Sequence, residues 1–472
     1  MNFKNIKLAW RNILRNKKRT IITVASIFFA ILMALCMRSF QLGSYSHMIK
    51  NVIETYIGYV QIQHKEYFDD KVLENSIEYN QELIDKIKSD NNVIVATPRI
   101  ETMALASSGD YSKAALIMCI LPEEENRLTK LTDRLVKYRL TPEAIAEIKK
   151  EDIPEDFFHK LDSLENSSYS NTLKIEIDFD IEGEEAEKYI PLITKHSAFK
   201  SDYLKADDDG ILIADRMAKY LGIDVGDTLI LIGQGYQGAS ATDIFPVRGI
   251  LKFPTPTLDN MLIYMTLNKA NDYLSVGNKI TSVTLSLDNT SDKGLEETAE
   301  NLKQILGDEY AVKTWKQLNK ELVQQIKADE DSGFLMIYIL YLIIAFGILG
   351  TVLMMTAERK REFGMMVAVG MSKLKLASII ILEMIFIGLL GIVSGIAASI
   401  PIILYFVSNP IRLTGEMAAT IESYGMEPLM PVAWQADFFI AQSLVMIVII
   451  LIATLYPLIK ILRLKEVKAL RG

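Results

Sequence analysis

The sequence predicts an α-helical membrane protein with four transmembrane helices in a one-plus-three layout and a large mixed α/β domain between helices 1 and 2. Four apolar runs lead to this prediction, at residues 20–37, 334–357, 376–407 and 438–462. Each is long enough to cross a bilayer, which takes about 20 apolar residues. About 290 mostly polar residues separate the first run from the second.

Charge gives the expected orientation. Basic residues dominate the segment before the first run, the link between the second and third runs, and the C-terminal end. The link between the third and fourth runs has four acidic residues against Arg412. Because basic residues mark the cytoplasmic side of short loops, both termini are expected in the cytoplasm and the large domain outside. This domain has 33 basic against 51 acidic residues, a charge near −18, which argues against a nucleic acid partner.

The N-terminus is predicted to be an amphipathic helix in the membrane interface, an elbow that carries Trp10, Arg11 and Arg15. A lipoprotein signal ending at Cys36 is the alternative. Leu35 stands where such a signal has a small residue, so an uncleaved anchor is preferred. Cys36 and Cys119 should lie at different depths and are not expected to form a disulfide.

The helical pattern continues beyond the first run and reappears before the second. Apolar residues at three- and four-residue spacing form one stripe on each side, with Tyr45, Ile49 and Val52 in the first stripe and Leu318 and Leu322 in the second. We interpret them as a paired helical stalk; ordinary domain helices are the alternative. Between them, alternating segments predict strands, including Leu173 to Ile181, and Gly233 to Gly238 predicts a hairpin turn rather than a dinucleotide site.

Recognisable catalytic motifs are absent from the sequence. It contains no Walker loop and no G-x-S-x-G elbow, and its four histidines form no metal-ligand pair. No catalytic residue and no metal ligand is therefore predicted.

The segment 357–370, AERKREFGMMVAVG, directly follows the second apolar run. It resembles the E-R-x-x-E-I-G-x-x-x-A-x-G signature of permeases of the MacB, LolC/LolE and FtsX superfamily. The N-terminal LAWRNILRNKKRTIIT and the final LYPLIKILRLKEVKALRG resemble the ends of such permeases, with Pro457, Ala469, Leu470 and Arg471 in matching positions. GILIADRMAKYLGIDVGDTLIL resembles a strand–helix–strand block of their outer domain.

The resemblance implies an ABC permease whose ATPase is a separate chain, closest to the LolC/LolE type. It implies a helix that couples to the ATPase, carried by Glu358, Arg359, Glu362, Phe363, Gly364, Met365, Ala368 and Gly370. No cofactor is expected on this chain, because ATP and Mg²⁺ would bind to the partner. The implied partners are two ATPase copies, a second permease subunit, an amphipathic substrate such as a lipoprotein and a periplasmic acceptor.

These expectations divide the chain as follows: cytoplasmic interfacial helix 1–19, transmembrane helix 1 at 20–40, stalk helix 41–57, periplasmic α/β domain 58–314 with an inserted subdomain at about 122–200, stalk helix 315–333, transmembrane helix 2 at 334–357, cytoplasmic coupling helix 358–375, transmembrane helix 3 at 376–407, periplasmic loop 408–437, transmembrane helix 4 at 438–462 and cytoplasmic tail 463–472.

The expected function is that of an inner-membrane permease subunit of the mechanotransmission type, which releases lipoproteins from the outer leaflet. MacB-like efflux of peptides or drugs is the first alternative, and FtsX-like regulation of a cell-wall hydrolase without transport is the second. The size of the outer domain counts against the latter.

Two features of the third apolar run remain open on sequence alone. Glu383 is a carboxylate within a membrane span, and a structural role is favoured over a functional one. Gly388, Gly391 and Gly395 are spaced for close helix packing, either within one subunit or across a dimer.

Overall fold

The structure is a computed structural model that describes residues 3–15, 17–413, 417, 420 and 429–463. The predicted tail beyond residue 463 and most of the predicted loop 408–437 lie outside the described residues. The chain divides into two compact units. The helical unit contains residues 1–47, 324–411 and 430–472, and the α/β unit contains residues 48–323 and 412–429.

Among the described residues, six helices belong wholly or partly to the helical unit. They are Phe3–Arg15, Lys17–Val52, Lys320–Glu358, Lys360–Ala368, Lys373–Ser408 and Ala436–Leu462. Four of them are long and apolar enough to cross a membrane, and we number these apolar helices 1 (Lys17–Val52), 2 (Lys320–Glu358), 3 (Lys373–Ser408) and 4 (Ala436–Leu462). Their best windows have a mean hydropathy of 2.5 to 2.7, so the four predicted spans correspond to four observed helices.

Apolar helix 3 packs against helices 1 and 4 through its glycines. A Cβ atom added at Gly391 would lie 2.6 Å from the Cβ of Ile27 and 3.2 Å from the carbonyl oxygen of Val24, both in helix 1. Gly395 makes the same kind of contact one turn later. A Cβ at Gly388 would lie 2.6 Å from a methyl group of Ile450 in helix 4. The glycine stripe is thus occupied by helices of the same chain.

Strands of the α/β unit, in chain order, are β1 (Val60–His64), β2 (Ile77–Glu78), β3 (Val93–Ser108), β4 (Tyr111–Ile120), β5 (Tyr138–Arg139), β6 (Ser168–Tyr169), β7 (Ile211–Ala214), β8 (Thr228–Gln234), β9 (Ser240–Leu251), β10 (Leu262–Thr266), β11 (Lys279–Ile280), β12 (Ser282–Leu287) and β13 (Tyr310–Thr314). Two further two-residue strands, Ile411–Arg412 and Leu429–Met430, lie in the link between apolar helices 3 and 4.

Nine strands form one sheet in the order β13-β1-β12-β3-β4-β10-β7-β9-β8, with β3 also paired to β8. Most pairs are antiparallel, and β4–β10 and β7–β9 are parallel. The long hairpin of β3 and β4 runs through the middle, with Arg99 opposite Ile120 and Ser108 opposite Tyr111. β8 and β9 form a second hairpin whose turn contains Gly235 and Gly238, as the sequence predicts.

Helices of the α/β unit are Lys65–Asp69, Gln81–Lys88, Pro122–Thr129, Pro142–Ile148, Glu155–Ser163, Thr172–Phe179, Glu184–Ser197, Asp215–Leu221, Pro256–Asp259, Leu267–Leu274, Asp292–Leu306 and Trp315–Leu318. Those between residues 142 and 197 surround an apolar core of their own, which includes Leu161, Ile175, Phe179 and Ile193.

The strand predicted at Leu173 to Ile181 is wrong, because Thr172–Phe179 is a helix. Its alternating apolar residues resemble a half-buried strand, yet Ile175, Ile177 and Phe179 are all buried against the surrounding helices. The side chain of Asn171 caps the helix by accepting a hydrogen bond from the backbone N–H of Lys174. Burial on more than one face of the helix hides the 3.6-residue period.

Candidate functional site

The helix Lys360–Ala368 lies directly after apolar helix 2 and contains most of the signature segment. Phe363 anchors it, because this side chain is buried in a cluster with Leu376, Ile380 and Ile461. Gly364 is also buried on the same helix. Phe363, which stands where the superfamily signature has isoleucine, therefore fixes the helix by hydrophobic packing against apolar helices 3 and 4.

Gly370 ends this helix. Its φ is +99°, a backbone conformation that residues with a Cβ rarely adopt. The N–H of Met371 donates to the carbonyl of Met366 and the N–H of Gly370 to that of Val367, a Schellman-type end that satisfies the last carbonyl groups. Apolar helix 3 begins three residues later, at Lys373, with Ser372 as its N-cap. The turn therefore requires glycine at the last position of the signature, Gly370.

A buried ion pair joins the signature segment to apolar helix 3. Nη1 of Arg359 donates to Oε2 of Glu383 over 2.6 Å, and the two side chains are 6% and 3% exposed. The guanidinium also lies 5.2 Å from the centre of the Phe363 ring. Since a buried carboxylate is costly without a partner, Arg359 explains how Glu383 is tolerated inside an apolar helix. Glu383 therefore has a structural partner, as its favoured interpretation requires.

The ion pair extends to the N-terminal helix through Glu362. The carboxylate of Glu362 accepts from Arg359 Nε over 3.4 Å and from Arg15 over 2.5 Å. Arg19, at the start of apolar helix 1, pairs with Glu358 in the same way. Charges of alternating sign thus connect the N-terminal helix, the signature helix and apolar helix 3.

Hydrophobic contacts support the same arrangement. Ala9 is fully buried against Ile379 and Leu382 of apolar helix 3. The Trp10 ring meets Phe386 edge to face, with 5.8 Å between the ring centres. The predicted elbow residues therefore have different environments: Trp10 is in contact with apolar helix 3, Arg15 is ion-paired and Arg11 is exposed.

The outer face of the signature helix is apolar and exposed. Val369 is 89% exposed and Met365 47%, and Ala368 and Gly370 are exposed beside them. Glu358 is exposed as well. The eight residues assigned to ATPase coupling thus separate into an outer group and a buried group, Arg359, Phe363 and Gly364, that holds the helix in place.

The predicted stalk residues lie on helices, although a break at Asn319 separates Leu318 from Leu322. Tyr45 and Leu322 are buried, and Ile49 and Leu318 are partly buried. The side chain of Val52 lies outside what the structure describes.

A further ion pair joins apolar helices 1 and 2, and the sequence did not predict it. Arg38, one residue past the first apolar run, pairs with Glu330 of apolar helix 2 over 2.7 Å. Its guanidinium lies 4.7 Å from the centre of the Phe334 ring, and the Arg38 side chain is 11% exposed. The sequence feature that could have indicated this pair is an arginine at the end of one apolar run and a glutamate just before the next. This pair clamps apolar helices 1 and 2 together.

No group of three or more histidine, cysteine, aspartate or glutamate side chains that could hold a metal ion occurs within the described part of the chain. Cys36 and Cys119 are both free thiols.

Comparison with known proteins identifies the class. Residues 334–465 match the family described as FtsX-like permease C-terminal. LolC, the transmembrane protein of the lipoprotein-releasing system, is 22% identical in Xylella fastidiosa strain 9a5c over 277 residues. The LolC of strain Temecula1 is 21% identical over the same length. Each match covers 57% of this chain and 66% of the relative, so the chain spans slightly less than two thirds of these curated relatives.

Two solved structures are similar to parts of this chain. The periplasmic region of MacB from Actinobacillus actinomycetemcomitans covers 59% of this chain and 97% of its own, with 11% identity and a TM-score of 0.31. The extracellular domain of the noncanonic ABC-type transporter YknZ from Gram-positive bacteria covers 54% and 100%, with 11% identity and a TM-score of 0.29.

The four apolar helices and the match of residues 334–465 to an FtsX-like permease domain support a multi-pass membrane permease. The resemblance to the superfamily of MacB, LolC/LolE and FtsX, which the signature at 357–370 indicated, is confirmed by these matches.

Proposed function

We propose that this protein is the permease subunit of an ATP-driven complex in the inner membrane that releases lipoproteins from the outer leaflet. The supporting observation is the FtsX-like domain at residues 334–465 together with the LolC relatives, which belong to a lipoprotein-releasing system. ATP would be hydrolysed on separate ATPase subunits, and this chain would transmit the resulting movement.

The signature helix is the contact proposed for the ATPase. Its exposed apolar face, with Val369 and Met365, suits a protein partner, because exposed hydrophobic patches rimmed by polar residues often mark interaction sites. The buried anchors Arg359 and Phe363 would convert a push on this helix into movement of apolar helix 3. The ion pairs of Arg15 and Arg19 would pass the same movement to apolar helix 1.

The proposed orientation has both termini in the cytoplasm and the α/β unit in the periplasm. Contacts of the N-terminal helix with the segment after apolar helix 2 support it, because Arg15–Glu362 and Arg19–Glu358 require these two basic segments to lie at the same end of the helical unit. Basic residues on one side are typical of the cytoplasmic face.

ATP-dependent release tests the function. The chain is purified with its ATPase and reconstituted in lipid with a fluorescent triacylated lipoprotein, and released lipoprotein is measured after ATP addition. Release is expected with ATP and not with a non-hydrolysable analogue. Co-purification of a cell-wall hydrolase, or ATP-dependent export of a peptide or drug with no lipoprotein release, would instead support one of the two alternatives.

The coupling helix has its own test. Val369→Glu is expected to abolish ATPase co-purification while leaving the permease folded, because the side chain is 89% exposed. Ile305→Glu, at an exposed apolar position of the α/β unit, is the matched control. Gly364→Trp is expected to uncouple ATP hydrolysis from release, although its buried position makes it also a packing change. Normal release by Val369→Glu would remove this helix from the mechanism.

A further inference from the structure

The α/β unit contains a large cleft between its main sheet and the helices around residues 160–180. The cleft has a volume of about 1540 Å³. One wall includes Arg216, Lys252 and Ser286, and the other includes Lys160 and Lys174. Pockets for small organic ligands are usually about 300–1,000 Å³, so this cleft has room for a larger ligand or a headgroup.

The lining is basic although the domain around it is acidic. Its basic side chains are Lys50, Arg127, Lys130, Arg134, Lys160, Lys174, Arg216, Lys219 and Lys252, and its acidic side chains are Asp133, Asp178 and Asp180. The predicted outer domain as a whole has 33 basic against 51 acidic residues. A reversal of charge confined to a concave surface concentrates a positive potential there and attracts anions.

Two buried carboxylates hold part of this basic lining in place. Lys252 Nζ lies 2.9 Å from Asp215 Oδ2 and 3.1 Å from Asp259 Oδ2, and both aspartates are almost completely buried. Lys219 lies 2.6 Å from the same Asp215 oxygen. With these two aspartates included, nine basic side chains face five acidic ones among the described residues of this lining.

Arg127 and Lys130 provide the basic groups available for a ligand. Both are exposed, and within the described residues neither has an acidic partner. Arg127 lies in the helix Pro122–Thr129 and Lys130 caps its end. This helix is fixed to β3, because the fully buried Glu125 accepts two hydrogen bonds from Arg99, over 2.6 and 2.8 Å. A bidentate pair of this kind gives the helix a defined position.

Left-handed backbone conformations are concentrated at the same cleft. Five non-glycine residues of the described chain have positive φ, and three of them, Lys130, Asn166 and Asp180, line the cleft. Asn and Asp adopt this conformation readily, but lysine does not. Strained residues of this kind cluster at ligand-binding sites, where the surrounding structure holds them.

Most of the remaining polar lining consists of short hydrogen-bonding side chains, such as Ser163, Asn166, Ser167, Ser170 and Asn171. A phosphate group accepts hydrogen bonds from hydroxyl, amide, ammonium and guanidinium groups at once, and several charges on one compact group match a concentrated excess of positive charge. An acidic peptide spreads its charges over several residues and fits this distribution less well.

We propose that this cleft binds a phosphate-bearing anion, with Arg127 and Lys130 as direct ligands and Lys252, held by Asp215 and Asp259, at the back wall. The phosphate belongs either to a lipid headgroup or to a soluble phosphate ester, and the same residues would recognise both. Such binding requires neither the ATPase nor a lipoprotein, so it stands apart from the proposed function.

Pyrophosphate binding is the first test. The full chain is purified in phosphatidylcholine nanodiscs and titrated with inorganic pyrophosphate by isothermal calorimetry. We expect saturable binding that weakens as salt is raised, because screening reduces the attraction of exposed charges. The double variant Arg127→Glu/Lys130→Glu should weaken binding at least tenfold. Lys88→Glu/Lys303→Glu makes the same charge change at exposed positions of the α/β unit outside the cleft. This control should change the affinity for pyrophosphate less than twofold.

Nanodiscs with one third phosphatidylglycerol distinguish the two sources. If the lipid headgroup occupies the cleft, the apparent affinity for pyrophosphate should fall in these discs. If the ligand is a soluble phosphate ester, the apparent affinity should be unchanged. Absence of pyrophosphate binding, or equal weakening by the two double variants, would overturn the proposal. Binding of poly-glutamate without binding of pyrophosphate would overturn it in favour of an acidic peptide.

Discussion

The Arg359 guanidinium and the Glu383 carboxylate form a 2.6 Å ion pair between the signature segment and apolar helix 3, and both side chains are nearly inaccessible. Each residue accounts for the buried charge of the other. Glu383 alone is an unexplained charge in a membrane span, and Arg359 alone resembles a cytoplasmic basic residue. Together they fix the signature helix to the helix that follows it.

Loss of one partner of this pair should be strongly destabilising. Glu383→Ala leaves the Arg359 charge buried and unpaired, and we expect a loss of about 3–5 kcal/mol. The change is measured as a lower melting temperature of the detergent-solubilised chain. Arg15→Ala is the control, because it breaks an exposed pair that is worth at most about 1 kcal/mol.

The double variant Arg359→Met/Glu383→Leu is the second test of this ion pair. It removes both charges and should be clearly more stable than Glu383→Ala, because no buried charge is left unpaired. If Glu383→Ala lowers the melting temperature no more than Arg15→Ala does, the pair does not stabilise the fold.

Glycine packing predicts a second effect. Gly391→Ala places a Cβ 2.6 Å from that of Ile27, and Gly395→Ala places one 2.9 Å from that of Ile31, so helices 1 and 3 must separate. We expect each variant to cost about 1–3 kcal/mol, again measured by thermal unfolding in detergent.

Gly350→Ala is the matched control in apolar helix 2, since no atom lies within 4 Å of its added Cβ. It should be neutral or stabilising by about 0.5–1 kcal/mol, because alanine favours the helix. Equal melting temperatures for Gly391→Ala and Gly350→Ala would argue against close packing at this crossing.

Substitution of Gly370 should strain the backbone without creating a packing clash. Its φ is +99° and an added Cβ would meet nothing within 4 Å, so Gly370→Val should cost about 1–2 kcal/mol through backbone strain alone. Gly370→Asn should cost less, because asparagine tolerates positive φ. Hydrogen exchange of a peptide that covers 360–368 reports the loosened helix end; equal exchange in both variants would contradict the prediction.

Asp215 predicts a loss of stability in acid. Burial raises the pKa of this carboxyl, but the ammonium groups of Lys252 and Lys219 outweigh burial and hold the pKa below its ordinary value of 3.8. Because the pKa is lower in the folded protein, the stabilisation is present above about pH 4 and is lost as pH falls through the lowered folded pKa.

Asp215→Asn should therefore reduce stability at neutral pH and weaken its dependence on pH below 4. Near-UV circular dichroism of the full chain during an acid titration measures both. Glu82→Gln is the control, because Glu82 pairs with Lys86 at the exposed surface and should leave the acid transition unchanged. If the acid transition of Asp215→Asn equals that of the wild-type chain, groups other than Asp215 control the transition.

Local sequence signals determined much of this protein. Apolar runs of sufficient length predicted the four long helices, because the bilayer thickness sets a length that composition reveals. The signature at 357–370 predicted the superfamily. Most strands of the large sheet were also predicted from the sequence, because they are short apolar segments bounded by turn residues. The alternating pattern was misleading at 172–179, where a buried helix hides its own period.

Tertiary structure alone decided which residues meet. Arg38 and Glu330 are 292 positions apart, and the lining of the basic cleft extends from residue 50 to residue 429. It also decided that Gly391 packs against Ile27 of the same chain and that Arg359 points inward rather than toward a partner. The physical reason is that periodicity and composition are local properties of the chain, whereas the burial of a charge or a glycine depends on the distant residue that packs against it.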